Sequence, residues 1–79
     1  MEIKVLGTGC PRCRALEKVT NDAVNGANLN ATISKVEDIM EIMKFGVMTT
    51  PALVVDGKVI LKGKVPTVNE LRDLLTKIQ

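Results

Sequence analysis

Asp56-Gly57, set between Ala52-Leu53-Val54-Val55 and Lys58-Val59-Ile60-Leu61, constrains the fold of this chain more than any other feature. A two-residue Asp-Gly loop between apolar, β-branched runs marks a tight hairpin, because the turn that matches strand twist needs φ > 0 at both loop positions. The chain therefore contains an antiparallel strand pair. Upstream, Ile3-Lys4-Val5-Leu6 reads as a further short strand, ended by Gly7-Thr8-Gly9. Pro11 suits the first turn of a helix, with Cys10 at its N-cap. Leu16, Val19 and Ala23 then recur at helical spacing, and Gly26 is the expected stop. Leu29-Asn30-Ala31-Thr32-Ile33-Ser34 alternates apolar and polar residues as a half-buried strand does, before Lys35 and Val36 break the pattern. Asp38 and Glu41 form a capping-box-like pair for a helix carrying Ile39, Ile42 and Met43, with Gly46 as its stop. Thr67 and Glu70 form a second box, and Val68, Leu71, Leu74, Leu75 and Ile78 lie along one face of the helix that follows.

The order is β-α-β-α-β-β-α. A strand–helix–strand start implies a right-handed crossover and parallel pairing, whereas the hairpin adds an antiparallel pair. The expected fold is α/β, a four-stranded mixed sheet with helices on both faces. Seventy-nine residues without repeats or linkers leave room for one domain, residues 1–79. Val, Ile and Leu supply 24 of those residues, enough apolar side chains to build a core. No apolar run approaches the roughly 18 residues that span a bilayer. No basic patch followed by an apolar stretch opens the chain, so a cytoplasmic protein without membrane association is expected. A net charge of +2, scattered basic residues and a single aromatic, Phe45, argue against nucleic-acid binding, which needs a basic stripe or stacking rings.

The two cysteines are more informative. They sit together as Cys10-Pro11-Arg12-Cys13, and the chain has no histidine. A secreted disulfide scaffold spaces its cysteines to close long loops, and a structural zinc site needs more ligands than two thiols. Redox chemistry or a shared metal site remains. At a helix N-terminus the exposed N–H groups and the positive end of the dipole favour a thiolate at Cys10, and Arg12 and Arg14 add positive charge. The thiolate is the species that attacks a disulfide, so Cys10 is the candidate nucleophile and should be the more acidic thiol. Cys13, one turn deeper, is placed to resolve the mixed disulfide. Against this stand the plainer readings that both cysteines are incidental and that Arg12 is a solvated helix residue.

Gly9-Cys10-Pro11-Arg12-Cys13, followed by Phe45-Gly46-Val47-Met48-Thr49-Thr50-Pro51-Ala52-Leu53-Val54-Val55-Asp56-Gly57, resembles the thioredoxin-like superfamily, and within it the small thioredoxin/glutaredoxin-like redox-active disulfide proteins. The resemblance covers nearly the whole chain. It implies a thiol–disulfide oxidoreductase with Cys10 and Cys13 as the catalytic, redox-active pair. It makes Pro51 a cis-proline facing the disulfide, with Thr50 in the substrate-contacting loop. From the residue alone, Pro51 would be a trans residue opening an edge strand. The sequence also departs from the pattern. Gly9 replaces the aromatic residue that thioredoxins carry before the first cysteine. Lys4 stands where they bury an acid, which leaves Cys13 without an assigned base. Lys62-Gly63-Lys64-Val65 replaces the Gly-Gly-x-Asp turn with which glutaredoxins grip glutathione.

The implied partners are disulfide-bearing proteins and a thioredoxin-reductase-like electron donor. No cofactor and no resident metal are expected, and a monomer is. Pro11 and Arg12 are the candidates for tuning the thiol. Met48 and Thr49 join Thr50 and Pro51 as candidate substrate contacts, with core packing as the other role open to Met48. Met40 and Met43 are expected to pack in the core. Gly7 and Gly9 allow a tight turn, and no Gly-Lys-Ser/Thr follows to make a phosphate loop. Two other functions compete. One is a Cu(I)-type metal carrier using the same two thiolates. Such carriers of this size run β-α-β-β-α-β, whereas this chain ends on a helix. The other is a non-catalytic adaptor binding through Met48–Pro51.

Overall fold

The computed structural model describes residues 1–9 and 11–77, together with the backbone alone at Ile78. The elements are β1 (Glu2–Leu6), α1 (Pro11–Gly26), β2 (Thr32–Val36), α2 (Ile39–Lys44), β3 (Ala52–Val55), β4 (Lys58–Lys62) and α3 (Val68–Ile78). They form one four-stranded sheet in the order β2-β1-β3-β4. β1 pairs with β2 in parallel, and β3 pairs antiparallel with both β1 and β4. This is the mixed α/β fold expected from the order of elements. The cap role expected of Cys10 and the Ile78 side chain lie outside the described residues.

Alternation along β1 sorts the core into two layers. Ile3 and Val5 face one side, where they meet Leu16, Ala23 and Val24 of α1 and Leu71 and Leu75 of α3. Leu6 faces the other, with Ile42, Val47, Ala52 and Val54. Each fully buried Leu or Ile contributes about 1.5–3 kcal/mol. Within α1, buried Thr20 satisfies its hydroxyl by donating to the Leu16 carbonyl at 2.7 Å. The Thr67–Glu70 box is made in both directions. The Glu70 N–H donates to Thr67 Oγ1 at 3.2 Å, and the Thr67 N–H to Glu70 Oε1 at 3.3 Å.

α1 stops at Gly26, as expected, and is closed by a Schellman arrangement, with Asn28 left-handed at φ 53, the Leu29 N–H donating to the Val24 carbonyl and the Asn28 N–H to that of Asn25. Three other expectations need correction. Leu29 is thereby bound into the helix end, and the strand expected at Leu29–Ser34 instead runs Thr32–Val36, with Thr32 N–H donating to the Met1 carbonyl. Asp38 caps α2 by accepting from the Met40 N–H at 2.9 Å, but Glu41 does not complete a box and pairs with Lys44 at 3.1 Å. Met40 and Met43 are not core residues. They are 65% and 57% exposed, because α2 lies alone on its face of the sheet and is so short that Ile42 is its one buried side chain.

The hairpin holds a detail that composition does not signal. Val59 pairs with Val54 and Leu61 with Leu53, so Ile60 is an extra residue in β4. This bulge lets Ile60 and Leu61 both serve the α1–α3 layer while Val59 serves the other. At the turn, Asp56 and Gly57 have φ 49 and 85. The Asp56 carboxylate accepts the Glu2 N–H at 2.8 Å, and the Asp56 N–H donates to the Glu2 carbonyl at 2.8 Å, tying the hairpin to the start of β1. Asp56→Ala removes the charged acceptor and leaves a side chain less tolerant of positive φ. It should lower stability by about 2 kcal/mol, read as a shift in the urea midpoint without a change in slope.

Candidate active site

The end of β1 and the first turn of α1 fold back on one another around Gly7. The Gly7 N–H donates to the Val36 carbonyl at 3.0 Å, fixing the loop against β2. Gly7 lacks a Cβ where one would collide with the side chain of Cys13: a Cβ there would lie 2.8 Å from that of Cys13, and closer still to its sulfur. Cys13 is thus sunk against the β1–α1 loop, 5% exposed, with its sulfur held in a disulfide. Gly9, at φ 89, lets the chain leave this close approach and enter α1. Pro11, Arg12 and Arg14 are exposed on the first turn. Cys10 lies outside the described residues.

The Thr50-Pro51 peptide bond is cis. Pro51 is buried, and Met48, Thr49 and Thr50 are exposed, Met48 at 89%. Met48 is therefore a surface residue, not a core one. A groove of about 230 Å³ joins Thr8 of the β1–α1 loop to Thr50, with Met43, Val47 and Met48 along its apolar floor and rim. The loop carrying Pro51 is braced by β4. Gly63 donates its N–H to the Pro51 carbonyl at 2.8 Å, and a Cβ at Gly63 would stand 3.3 Å from Thr49 Oγ1.

A second cleft, of about 110 Å³, opens beside Cys13. Val5, Gly7, Arg14, Glu17, Lys35 and Glu37 line it with Cys13. Lys35 reaches from β2 to Glu17 of α1, Nζ to Oε2 3.4 Å. Lys4 is not part of this cleft. It lies 5.4 Å over the Phe45 ring and pairs with Glu2 at 3.5 Å, on the α2 side of the sheet. Among the described residues no group of three or more Cys, Asp or Glu is placed to hold a metal ion, and no helix is long and apolar enough to cross a membrane.

A family model described as a thioredoxin domain matches residues 1–76. The chain belongs to the thioredoxin family. It is 33% identical over 76 residues to a thioredoxin of Methanothermobacter thermautotrophicus, covering 96% of this chain and 99% of that protein. It is 36% identical over 73 residues to a thioredoxin of Methanocaldococcus jannaschii, covering 92% and 84%. The chain is a thioredoxin-like disulfide oxidoreductase.

Gly7, Thr8, Gly63 and Glu17 took no part in the site as read from sequence. Gly7 and Gly63 are legible only once Cys13 and Thr49 are seen beside them. Glu17 had one local signal, its position four residues after Cys13 on one helix face.

Proposed function

We propose that this thioredoxin-like chain reduces protein disulfides by dithiol exchange at Cys10 and Cys13, acting as one domain in the cytoplasm. The observation that carries the reading is the seat of Cys13, oxidised and buried under Gly7 on the first turn of α1. The chain has two cysteines, so a disulfide closed within it joins Cys10 to Cys13. A buried sulfur suits the resolving role, and the helix N-terminus favours Cys10 as the attacking thiolate, with Pro11 and Arg12 beside it.

In the reductive direction the Cys10 thiolate attacks one sulfur of a substrate disulfide and releases the other as thiolate. Cys13 then attacks the Cys10 sulfur. The second substrate thiol leaves, and the protein holds the oxidised pair. A thioredoxin-reductase-like donor returns two electrons and two protons. The exposed Met48, Thr49 and Thr50, with buried Pro51 behind them, offer the substrate an adaptable apolar contact.

The test is reduction of a protein disulfide with three donors: a small dithiol, glutathione with its reductase, and NADPH with thioredoxin reductase. Turnover is expected with the dithiol and with thioredoxin reductase, and none with glutathione, since Lys62–Val65 lacks the glutathione-binding turn. Failure with all three, together with stoichiometric Cu(I) binding, would replace this reading with metal transfer.

A further inference from the structure

Resolution of the mixed disulfide requires Cys13 to lose a proton while 5% exposed, in a pocket floored by Val5 and Gly7. Burial among apolar groups opposes ionisation of a thiol, so an acceptor close by would decide the rate of this step. The acid that could have stood on β1 is absent: Lys4 occupies that position and faces the other side of the sheet. The cleft beside Cys13 supplies another. Glu17 lies one helical turn beyond Cys13 on the same face of α1, and both line this cleft. Its carboxylate is half-buried and is drawn toward β2 by Lys35, which sits opposite Val5 in the parallel register. About 110 Å³ is room for several waters, since one needs about 10–15 Å³.

We propose that Glu17, positioned by Lys35, takes the proton from Cys13 through water in this cleft. The inference rests on the dithiol reading above. The Cys13 thiol passes its proton to the Glu17 carboxylate. The resulting thiolate forms the Cys13–Cys10 bond as the bond from Cys10 to the substrate sulfur breaks. The departing substrate thiolate takes up the proton that Glu17 holds. No electrons enter beyond those of the disulfide exchange. The other charged groups facing the cleft are Arg14, Lys35 and Glu37. Arg14 and Lys35 favour the Cys13 thiolate once it forms. Glu37 is the rival acceptor, but it is exposed and stands in the segment between β2 and α2, whereas Glu17 is half-buried and anchored.

The experiment separates the two thiols by treating the reduced protein with an equimolar amount of dithiobis(nitrobenzoate). Attack by Cys10 releases one coloured thiolate. Attack by Cys13 on the mixed disulfide releases the second, at a rate independent of reagent concentration. With Glu17→Gln the first phase is expected to keep its rate, which also reports an intact fold. The second should slow by about 10- to 100-fold near neutral pH and approach wild type in alkali, where hydroxide replaces the base. Glu17→Asp should recover part of the rate, and Glu37→Gln should leave it unchanged. A second phase equal to wild type in Glu17→Gln at every pH, or slowed in Glu37→Gln instead, overturns the assignment. A second phase that scales with reagent concentration in the wild type overturns the dithiol reading itself.

Discussion

Cys13→Ser should convert the protein from a turnover catalyst into a trap. The variant retains Cys10, attacks a protein disulfide and stops at the mixed disulfide, because the resolving sulfur is gone. Well-oriented intramolecular groups act with effective molarities of about 10⁵ M or more, so millimolar external thiol does not replace Cys13, and steady turnover should fall by at least about 1,000-fold. The adduct is read on a non-reducing gel and by intact mass, and a dithiol should release the partner. The serine is smaller than the sulfur it replaces at Gly7, so the fold should tolerate it. Cys10→Ser should form no adduct. Adducts from Cys10→Ser and none from Cys13→Ser would reverse the two roles.

The second large effect is at Gly7. A methyl group there would meet both the Cβ and the sulfur of Cys13, and neither the β1–α1 loop nor the first turn of α1 is free to move. The loop is bonded to Val36, and α1 is packed into the core through Leu16. Gly7→Ala should therefore cost about 3 kcal/mol, the upper part of the range for overpacking. For a chain of this size that lowers Tm by about 12–24 °C. A cycle with Cys13→Ala, measured under reducing conditions, isolates the contact. Without the sulfur, Gly7→Ala should be less damaging, though still unfavourable because the Cβ clash persists. A Gly7→Ala loss within about 0.5 kcal/mol in the wild-type background would mean that the loop is far more pliant than its bonding implies.

These two expectations meet at the boundary between what is written locally and what is not. The element order, the parallel start, the Asp56-Gly57 hairpin and the Thr67–Glu70 cap were legible because each depends on residues at most a few positions apart. Turn chemistry, capping and hydrophobic period are local properties, and here they agree. The seat of Cys13 on the first turn of α1 was legible for the same reason, since the motif follows a strand and opens a helix. The places where reading failed involve competition between local options. The strand read at Leu29–Ser34 starts at Thr32 instead, since Leu29 closes the end of α1 and packs against the core. Glu41 pairs instead with Lys44, three positions on along the exposed side of α2.

The sequence by itself determined the fold class and the hairpin, because short-range chemistry suffices for each. Only the tertiary structure decided which atoms surround Cys13. Gly7 is a necessity because Cys13 occupies the space of its missing side chain. Met40 and Met43 are surface residues because no second helix covers α2. The bulge at Ile60 is fixed by two core layers that must both be filled. Glu17 and Lys35 meet although they are 18 positions apart, because the parallel pairing of β1 and β2 brings Lys35 beside Val5, under the face of α1 that carries Cys13. Proximity of this kind comes from closing the chain around a core, and no periodicity along the chain encodes it.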